Sequence, residues 1–267
     1  AMIFGGIGCD EIQFNEKTVW TGRPNGIEKK ANYGEYRNFG NLYISHRGIK
    51  TDTKITDYRR WLDIRNAVAG MTYSIDGVRY DREYIASSPD GMIAVMLRAS
   101  GKEKINVDLL LKDGNTDYNG TASGTKIDKG NMTFKGKLTY LSYYCRVAVT
   151  PYGKKAKVSI NDSALTITKA DSLLVLLSGG TNYSTETANY RTNESVLHQR
   201  IDDIINKALA KNYTTLKTRQ QKSHRMLFDR CQLSITPDDC NTKPTPQLVA
   251  AVSYTHLRAH ETRRHLV

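Results

Sequence analysis

The sequence predicts a mainly β protein: a large antiparallel β-sandwich, or super-sandwich, followed by two linker α-helices. Up to about residue 185, short β-branched and aromatic runs are separated by Gly, Asn and Asp, as in a chain of strands and turns. No segment of helical period separates these runs, which argues against the alternating βαβ pattern of a parallel sheet. From about residue 190 the apolar residues recur with the period of a helix instead.

The strands are predicted from alternation and from turn residues. Side chains 78–85 alternate between two faces, one of which carries Val78, Tyr80, Arg82 and Tyr84. Asp76-Gly77, just before them, is a residue pair typical of a type I′ hairpin turn. A second alternating face consists of Tyr143, Cys145, Val147 and Val149. Asn161-Asp162-Ser163 indicates another hairpin.

Two strands are predicted to be buried on both faces. Met92–Leu97 and Leu173–Leu177 are continuous apolar runs, and their length suits strands rather than helices. A strand of alternating pattern has one polar face that is exposed to solvent, whereas these runs have no polar face. Each is therefore expected to lie inside the protein with packing partners on both sides.

Two helices follow, with Thr192 or Asn193 as the first cap and Asn212 between them. The first helix has apolar residues at helical spacing: Leu197, Ile201, Ile204, Ile205, Ala208 and Leu209. The second is predicted over residues 213–231, with one side formed by Tyr213, Leu216, Gln220, Leu227, Phe228 and Cys231. Three prolines after it mark an extended connector.

The composition narrows the choice of partners. The chain has 267 residues, 39% hydrophobic and 25% charged, which is ordinary globular usage and excludes a disordered or fibrous chain. No run approaches the roughly 18 apolar residues of a membrane helix, so no membrane partner is predicted. The net charge is +12, but the basic residues are scattered and form no stripe, so no nucleic acid partner is predicted.

The chain is expected to divide into three parts. Residues 1–188 form the N-terminal β-sandwich domain, 189–248 the helical linker, and 249–267 a tail. From Val252 to Thr262 the tail resembles the translation of a sequencing adapter, so it is left out of the fold. His256 and His260 have the spacing of metal ligands on a helix but lack a third ligand. The four cysteines contain no CxxC pair, and neither a metal site nor a cofactor is predicted.

The densest polar and aromatic stretch is residues 11–24. Ile12 and Phe14 suit a core position, which leaves a set of groups that grip sugar hydroxyls and stack on sugar faces: Gln13, Asn15, Glu16 and Trp20. These four are the candidate substrate-binding or domain-interface residues. The alternative is a turn whose polar groups satisfy its own backbone. No nucleophile elbow, zinc-protease or P-loop motif occurs, and no catalytic residue is predicted.

The same stretch, EIQFNEKTVWTGRP, resembles the "IQLNEDTLWSGGP" signature of glycoside hydrolase family 95, the α-L-fucosidases. Further similar segments follow the order of that family: MIFGG at 2–6, FGNL at 39–42, DYRRWLDI at 57–64, GVRYDREYIASSPD at 77–90, and residues 170–183. The linker helix departs from the family, with Gln220 and Ser223 where His and Asp are usual.

The resemblance implies a β-sandwich and linker helices that precede an (α/α)6 catalytic barrel. The chain is then a fragment that ends before the barrel, its partner in the same parent chain. The parent would hydrolyse terminal α-L-fucose from oligosaccharides, and the resemblance suggests a periplasmic or secreted location. The fragment alone would be inactive, with the four candidate residues at the face that meets the barrel.

Two other interpretations stay open. One is a free-standing carbohydrate-binding β-sandwich module with no enzymatic activity. The other is the N-terminal domain of a disaccharide phosphorylase, which the wording of residues 13–20 and 81–90 fits less well.

Overall fold

The computed structural model describes residues 1–22, 34–50, 52–116, 124–161, 163–231 and 247. The chain forms two compact units, Ala1–Met226 and Leu227–Val267. The tail expected at 249–267 lies outside the described residues, as does most of the second unit. In the part of the chain that is described, no helix has the length and apolar character needed to cross a membrane.

Fourteen strands precede two helices in the described residues. The strands are β1 Met2–Gly5, β2 Cys9–Phe14, β3 Gly40–His46, β4 Thr56–Asp63, β5 Val68–Ile75, β6 Val78–Ser87, β7 Met92–Ala99, β8 Ile105–Asp113, β9 Lys126–Asp128, β10 Asn131–Lys137, β11 Ser142–Tyr152, β12 Lys157–Asn161, β13 Ala164–Ala170 and β14 Ser172–Thr181. The helices are α1 Glu194–Leu209 and α2 Tyr213–Phe228. The predicted mainly β fold with two C-terminal helices is confirmed.

The strands form two antiparallel sheets. One sheet has six strands in the order β1-β2-β3-β8-β13-β12, and the other has eight in the order β4-β5-β6-β7-β14-β11-β10-β9. Their inner faces enclose one apolar core, to which most of the strands contribute alternate residues. At one end of the core, four aromatic rings pack mostly edge to face: Phe14, Phe39, Phe134 and Tyr143.

A second apolar layer lies on the outer face of the eight-stranded sheet. There α1 and α2 pack against β7 and β14, so these two strands are buried on both sides, as predicted. The layer consists mainly of Met92, Ala94, Met96, Leu174 and Leu176 from the sheet, and Ile205, Ala208, Tyr213 and Leu216 from the helices. The helices therefore share a core with the sandwich.

Ion pairs fasten α2 to the sheet beside this layer. Lys217 Nζ lies 2.7 Å from Glu83 Oε1, and Arg219 Nε lies 3.0 Å from Asp90 Oδ1. Burial raises the pKa of Glu83, but the hydrogen bond and charge of Lys217 outweigh it and leave that pKa below its usual value. The Glu83 carboxylate is therefore ionised at neutral pH.

The predicted turn and caps have mixed outcomes. Asp76 and Gly77 both have positive φ, 50° and 74°, which confirms the type I′ hairpin between β5 and β6. Asn212 Oδ1 accepts a hydrogen bond from the Thr215 amide and so caps α2. The second helix was predicted to reach residue 231 but ends at Phe228. It buries no side chain after Gln220, so packing does not support its last turn.

A buried ion pair lies at the opposite end of β2 from the aromatic cluster. Arg82 and Asp10 are 1% and 0% exposed, and Arg82 Nη1 donates to Asp10 Oδ1 over 2.6 Å. Arg82 also donates to the carbonyls of Gly6 and Ile7 and to the Tyr73 hydroxyl. Burial lowers the pKa of the guanidinium, but the Asp10 carboxylate outweighs burial and raises it, so Arg82 is charged within the core.

Candidate functional site

Loops from distant parts of the sequence meet at one end of the sandwich, which we call the loop end. It comprises residues 15–22, 34–39, 88–91, 114–116, 138–141 and 182–193. The strand register explains this meeting, because Gly40 pairs with both Phe14 and Asp113, and Ser87 pairs with Met92. Side-chain contacts join the same loops: Asn115 Nδ2 donates to the Asn38 carbonyl over 2.9 Å.

A cleft of about 300 Å³ opens between the two sheets at the loop end. Asn15 and Glu16 line it together with Ser87, Ser88 and Ser178, and the rings of Phe14 and Phe39 form part of its wall. Two of these serines use their hydroxyl protons within the protein, because Ser87 Oγ donates to Asp90 Oδ2 and Ser178 Oγ donates to the Gly91 carbonyl. We call this cavity the serine cleft.

Asn15 and Glu16 each have one atom engaged and one available. Asn15 Oδ1 accepts a hydrogen bond from the Phe39 amide over 2.9 Å, which fixes the start of β3. Glu16 Oε2 accepts from the amide and hydroxyl of Thr18, and the Thr18 hydroxyl also contacts Thr181. Asn15 Nδ2 and Glu16 Oε1 make no hydrogen bond to any residue that the structure describes. A donor and an acceptor are therefore available beside the cleft.

The other two candidate residues lie elsewhere. Gln13 is on the outer face of the six-stranded sheet, between Met2 and Asn41 on the neighbouring strands. Trp20 packs edge to face against Tyr36, with ring centroids 4.3 Å apart. The chain turns after Glu16 and buries Val19, so the four residues do not share one surface. Whether any of them binds substrate stays a prediction.

A second pocket, polar and about 360 Å³ in volume, lies at the start of α1, and we call it the α1 pocket. Lys137, Tyr140, Asn182, Arg191 and Glu194 are among its lining residues. The Glu194 carboxylate lies 3.0 Å from Lys137 Nζ and accepts from Ser142 Oγ. The hydrogen bond to Lys137 keeps the pKa of Glu194 below its usual value, so this carboxylate is ionised at neutral pH.

The described residues that line each of these two cavities include a single carboxylate, fewer than glycoside hydrolysis needs. That reaction needs two carboxyl groups roughly 5–10 Å apart across the scissile bond. The serine cleft is lined by one carboxylate, Glu16, and the α1 pocket by Glu194. Burial raises the pKa of Asp10 and of Asp113, but both lie in the core, outside the two cavities. No group of three or more His, Cys, Asp or Glu among the described residues is placed to hold a metal ion.

Several lining residues were not predicted from the sequence. Ser178 lies at the end of β14 and Gly91 in the turn before β7, far from Asn15 along the chain. Gln220 reaches the rim from α2, where Oε1 accepts from the Ser88 amide over 3.3 Å. The signal in the sequence was the family similarity of segments 77–90 and 170–183, which contain Ser87, Ser88 and Ser178.

Comparison with known proteins gives one family and several relatives. Residues 26–186 match the glycosyl hydrolase family 65, N-terminal domain. Alpha-L-fucosidase 2 of Arabidopsis thaliana is 28% identical over 130 residues, covering 38% of this chain and 15% of that protein. A probable alpha-fucosidase A of Aspergillus niger is 24% identical over 229 residues, covering 83% of this chain and 28% of that protein. The predicted resemblance to α-fucosidases is thus confirmed.

One solved structure extends the comparison to the fold. A putative kojibiose phosphorylase from the human microbiome superposes with a TM-score of 0.50 and 12% identity, covering 82% of this chain. The chain corresponds to 31% of that structure, and it spans less than a third of each of the two fucosidases.

Proposed function

The chain belongs to the glycosyl hydrolase family 65, N-terminal domain, and on this premise we propose that its parent enzyme hydrolyses terminal α-L-fucose from oligosaccharides. The similarity to two α-fucosidases supports this substrate. In this proposal the chain is a non-catalytic domain, and a barrel elsewhere in the parent chain, its partner, supplies the acid and base. The fucosylated oligosaccharide reaches the domain only at its loop end.

The main structural support for the proposal is the serine cleft. It offers one hydrogen-bond donor, Asn15 Nδ2, and one acceptor, Glu16 Oε1, beside the rings of Phe14 and Phe39. Such a set can hold a sugar hydroxyl, because an amide donates and a carboxylate accepts. Among the described residues that line the cleft, Glu16 is the one carboxylate, whereas hydrolysis of a glycoside needs two carboxyl groups. The cleft therefore suits the rim of an active site whose chemistry lies in the barrel.

The assay that tests the proposal compares the full-length parent with this chain. We expect the parent to release 4-nitrophenol from 4-nitrophenyl α-L-fucoside and L-fucose from 2′-fucosyllactose, and the chain alone to release neither. Turnover by the chain, lost on Glu16→Gln, would show that the domain itself is catalytic. A folded parent without fucosidase activity would refute the substrate.

A second candidate, which the sequence also left open, is a parent that cleaves disaccharides with inorganic phosphate, as the name of the similar kojibiose phosphorylase suggests. The same purified parent distinguishes the two. Hydrolysis of the fucoside in phosphate-free buffer supports the first candidate. Release of a sugar phosphate from kojibiose, seen only when phosphate is present, supports the second.

Asn15→Ala in the parent should lower kcat/KM on the fucoside by about 3- to 10-fold, which corresponds to one lost hydrogen bond of about 0.5–1.5 kcal/mol. Asn106→Ala is the matched control. Asn106 Oδ1 also accepts from a backbone amide over 2.9 Å, that of Lys169, but at the opposite end of the sandwich. Both variants should lose similar stability, and only Asn15→Ala should lose activity. An equal kcat/KM in the two variants would mean that Asn15 has a structural role and does not contact the substrate.

A further inference from the structure

An exposed pair of tyrosines forms an aromatic surface at the loop end, apart from the serine cleft. The rings of Tyr183 and Tyr190 have centroids 6.5 Å apart and planes only 9° from parallel. The two residues are 40% and 48% exposed. We call this pair the tyrosine platform. Aromatic residues usually bury more of their surface, so two half-exposed parallel rings are an unusual feature of a loop.

The platform is held in place by its own loop. Tyr183 and Arg191 form a bridge, and the Ser184 amide donates to the Tyr190 carbonyl over 3.0 Å. Beneath them the buried Asn182 accepts from the Ser142 amide through Oδ1 and donates to the Thr192 carbonyl through Nδ2. A fixed loop loses little conformational entropy when a ligand binds, which favours a binding role.

Tyr190 has a strained backbone. Its φ is 56°, in the left-handed region that Gly and Asn tolerate and that bulky residues seldom adopt. Such strain costs on the order of 1 kcal/mol and tends to persist at functional positions. A glycine here would relieve the strain, so the presence of a half-exposed tyrosine indicates a use for its ring.

Arg191 links the platform to the α1 pocket, because it follows Tyr190 in the chain, is bridged to Tyr183 and lines the pocket. The Arg191 guanidinium lies over the Tyr140 ring, 4.5 Å from its centroid, and Nη1 donates to the Tyr140 carbonyl. None of the carboxylates described in the structure forms an ion pair with Arg191. Its remaining N–H groups thus form a planar donor set beside the Tyr140 ring.

We propose that the tyrosine platform, Arg191 and the α1 pocket form a carbohydrate subsite that binds one neutral hexose or deoxyhexose unit of an oligosaccharide. The apolar face of a sugar ring stacks on an aromatic ring, and a guanidinium can bridge two neighbouring hydroxyls. The commitment to a neutral unit follows from the proposed substrate, because fucose carries no charge; in the pocket itself Lys137 already pairs with Glu194. A polar, concave site also suits a sugar better than a protein partner. The choice of a sugar as ligand rests on the proposed function.

The test measures sugar binding to this chain by ligand-observed NMR, with methyl α-L-fucoside, methyl α-D-glucoside and methyl β-D-glucuronide as probes. We expect a neutral probe to bind with a Kd of about 1 mM. Tyr190→Gly and Arg191→Ala should each weaken binding at least 10-fold. Tyr58→Ala removes another half-exposed tyrosine, away from the site, and should leave binding unchanged.

Measuring both Tm and sugar binding separates a role of the Tyr190 ring in binding from a role in stability. Because glycine tolerates the backbone at position 190, Tyr190→Gly should keep the Tm of the wild type while losing the sugar. No saturable binding of a neutral probe, or equal binding by all variants, would overturn the subsite, and tighter binding of the glucuronide would overturn its preference for neutral sugars. The assay uses no catalysis, so its result is distinct from a failure of the parent to hydrolyse fucosides.

Discussion

Arg82→Met should lower the free energy of unfolding by about 3–5 kcal/mol, which is a large part of the stability of a typical domain. The guanidinium is fully buried and supplies the charge partner of Asp10 and hydrogen bonds to two backbone carbonyls of the β1–β2 turn. Methionine fills similar space but leaves the Asp10 carboxylate without a cation. Urea unfolding followed by tryptophan fluorescence measures the loss.

A double variant separates the lost ion pair from a general disturbance of the core. Arg82→Met combined with Asp10→Leu removes both charges and should recover much of the stability, because a buried ion pair often equals apolar packing of similar volume. The exposed pair Arg79–Asp81 provides the control, and Arg79→Met should cost far less. If Arg82→Met and Arg79→Met cost the same, the buried pair does not stabilise the fold.

Ile205→Asp should cost about 4 kcal/mol or more and release the helices from the sheet. Ile205 is fully buried in the second apolar layer, so the change removes its packing and places a charge among Leu174, Leu176 and Leu216. We expect a lower Tm and binding of a hydrophobic dye, because the outer face of the eight-stranded sheet becomes exposed.

The neighbouring position supplies the control. Asn206→Asp places the same charge on the exposed side of α1 and should change stability by less than about 0.5 kcal/mol. If Ile205→Asp prevents folding altogether, Ile205→Ala gives a measurable loss of about 2–4 kcal/mol. Near-equal melting of Ile205→Ala and Asn206→Asp would mean that the helices add nothing to the sandwich.

Local patterns predicted most of the fold. The alternation around Tyr80 and Tyr84 gave the faces of β6, and Asp76-Gly77 gave the turn before it. The apolar runs of β7 and β14 predicted burial on both sides, but not that helices form the second layer. The identity of the covering element is nonlocal information, because the pattern of a strand shows that a face is buried without showing what packs on it.

The candidate site was harder to predict than the fold. The polar stretch drew attention to Asn15 and Glu16, which do line a cleft, but its period also suggested Gln13, which lies on another face. The rest of the cleft comes from strand ends far away in sequence. Likewise Arg82 could be assigned to the same face as Tyr80 and Tyr84, but its partner Asp10 is 72 residues away. Such pairs follow from sheet order, which no short pattern encodes.

Strand β14 also determines how late the protein can fold during synthesis. It lies in the middle of the eight-stranded sheet, between β7 and β11, although it is the last strand in the described residues. Until it leaves the ribosome, β7 keeps an open edge that can pair with other nascent chains. Its outer face then stays uncovered until α1 and α2 have emerged. The nascent domain is therefore prone to aggregation until β14 and the two helices have emerged, and during that interval it depends most on chaperones that bind exposed apolar strands.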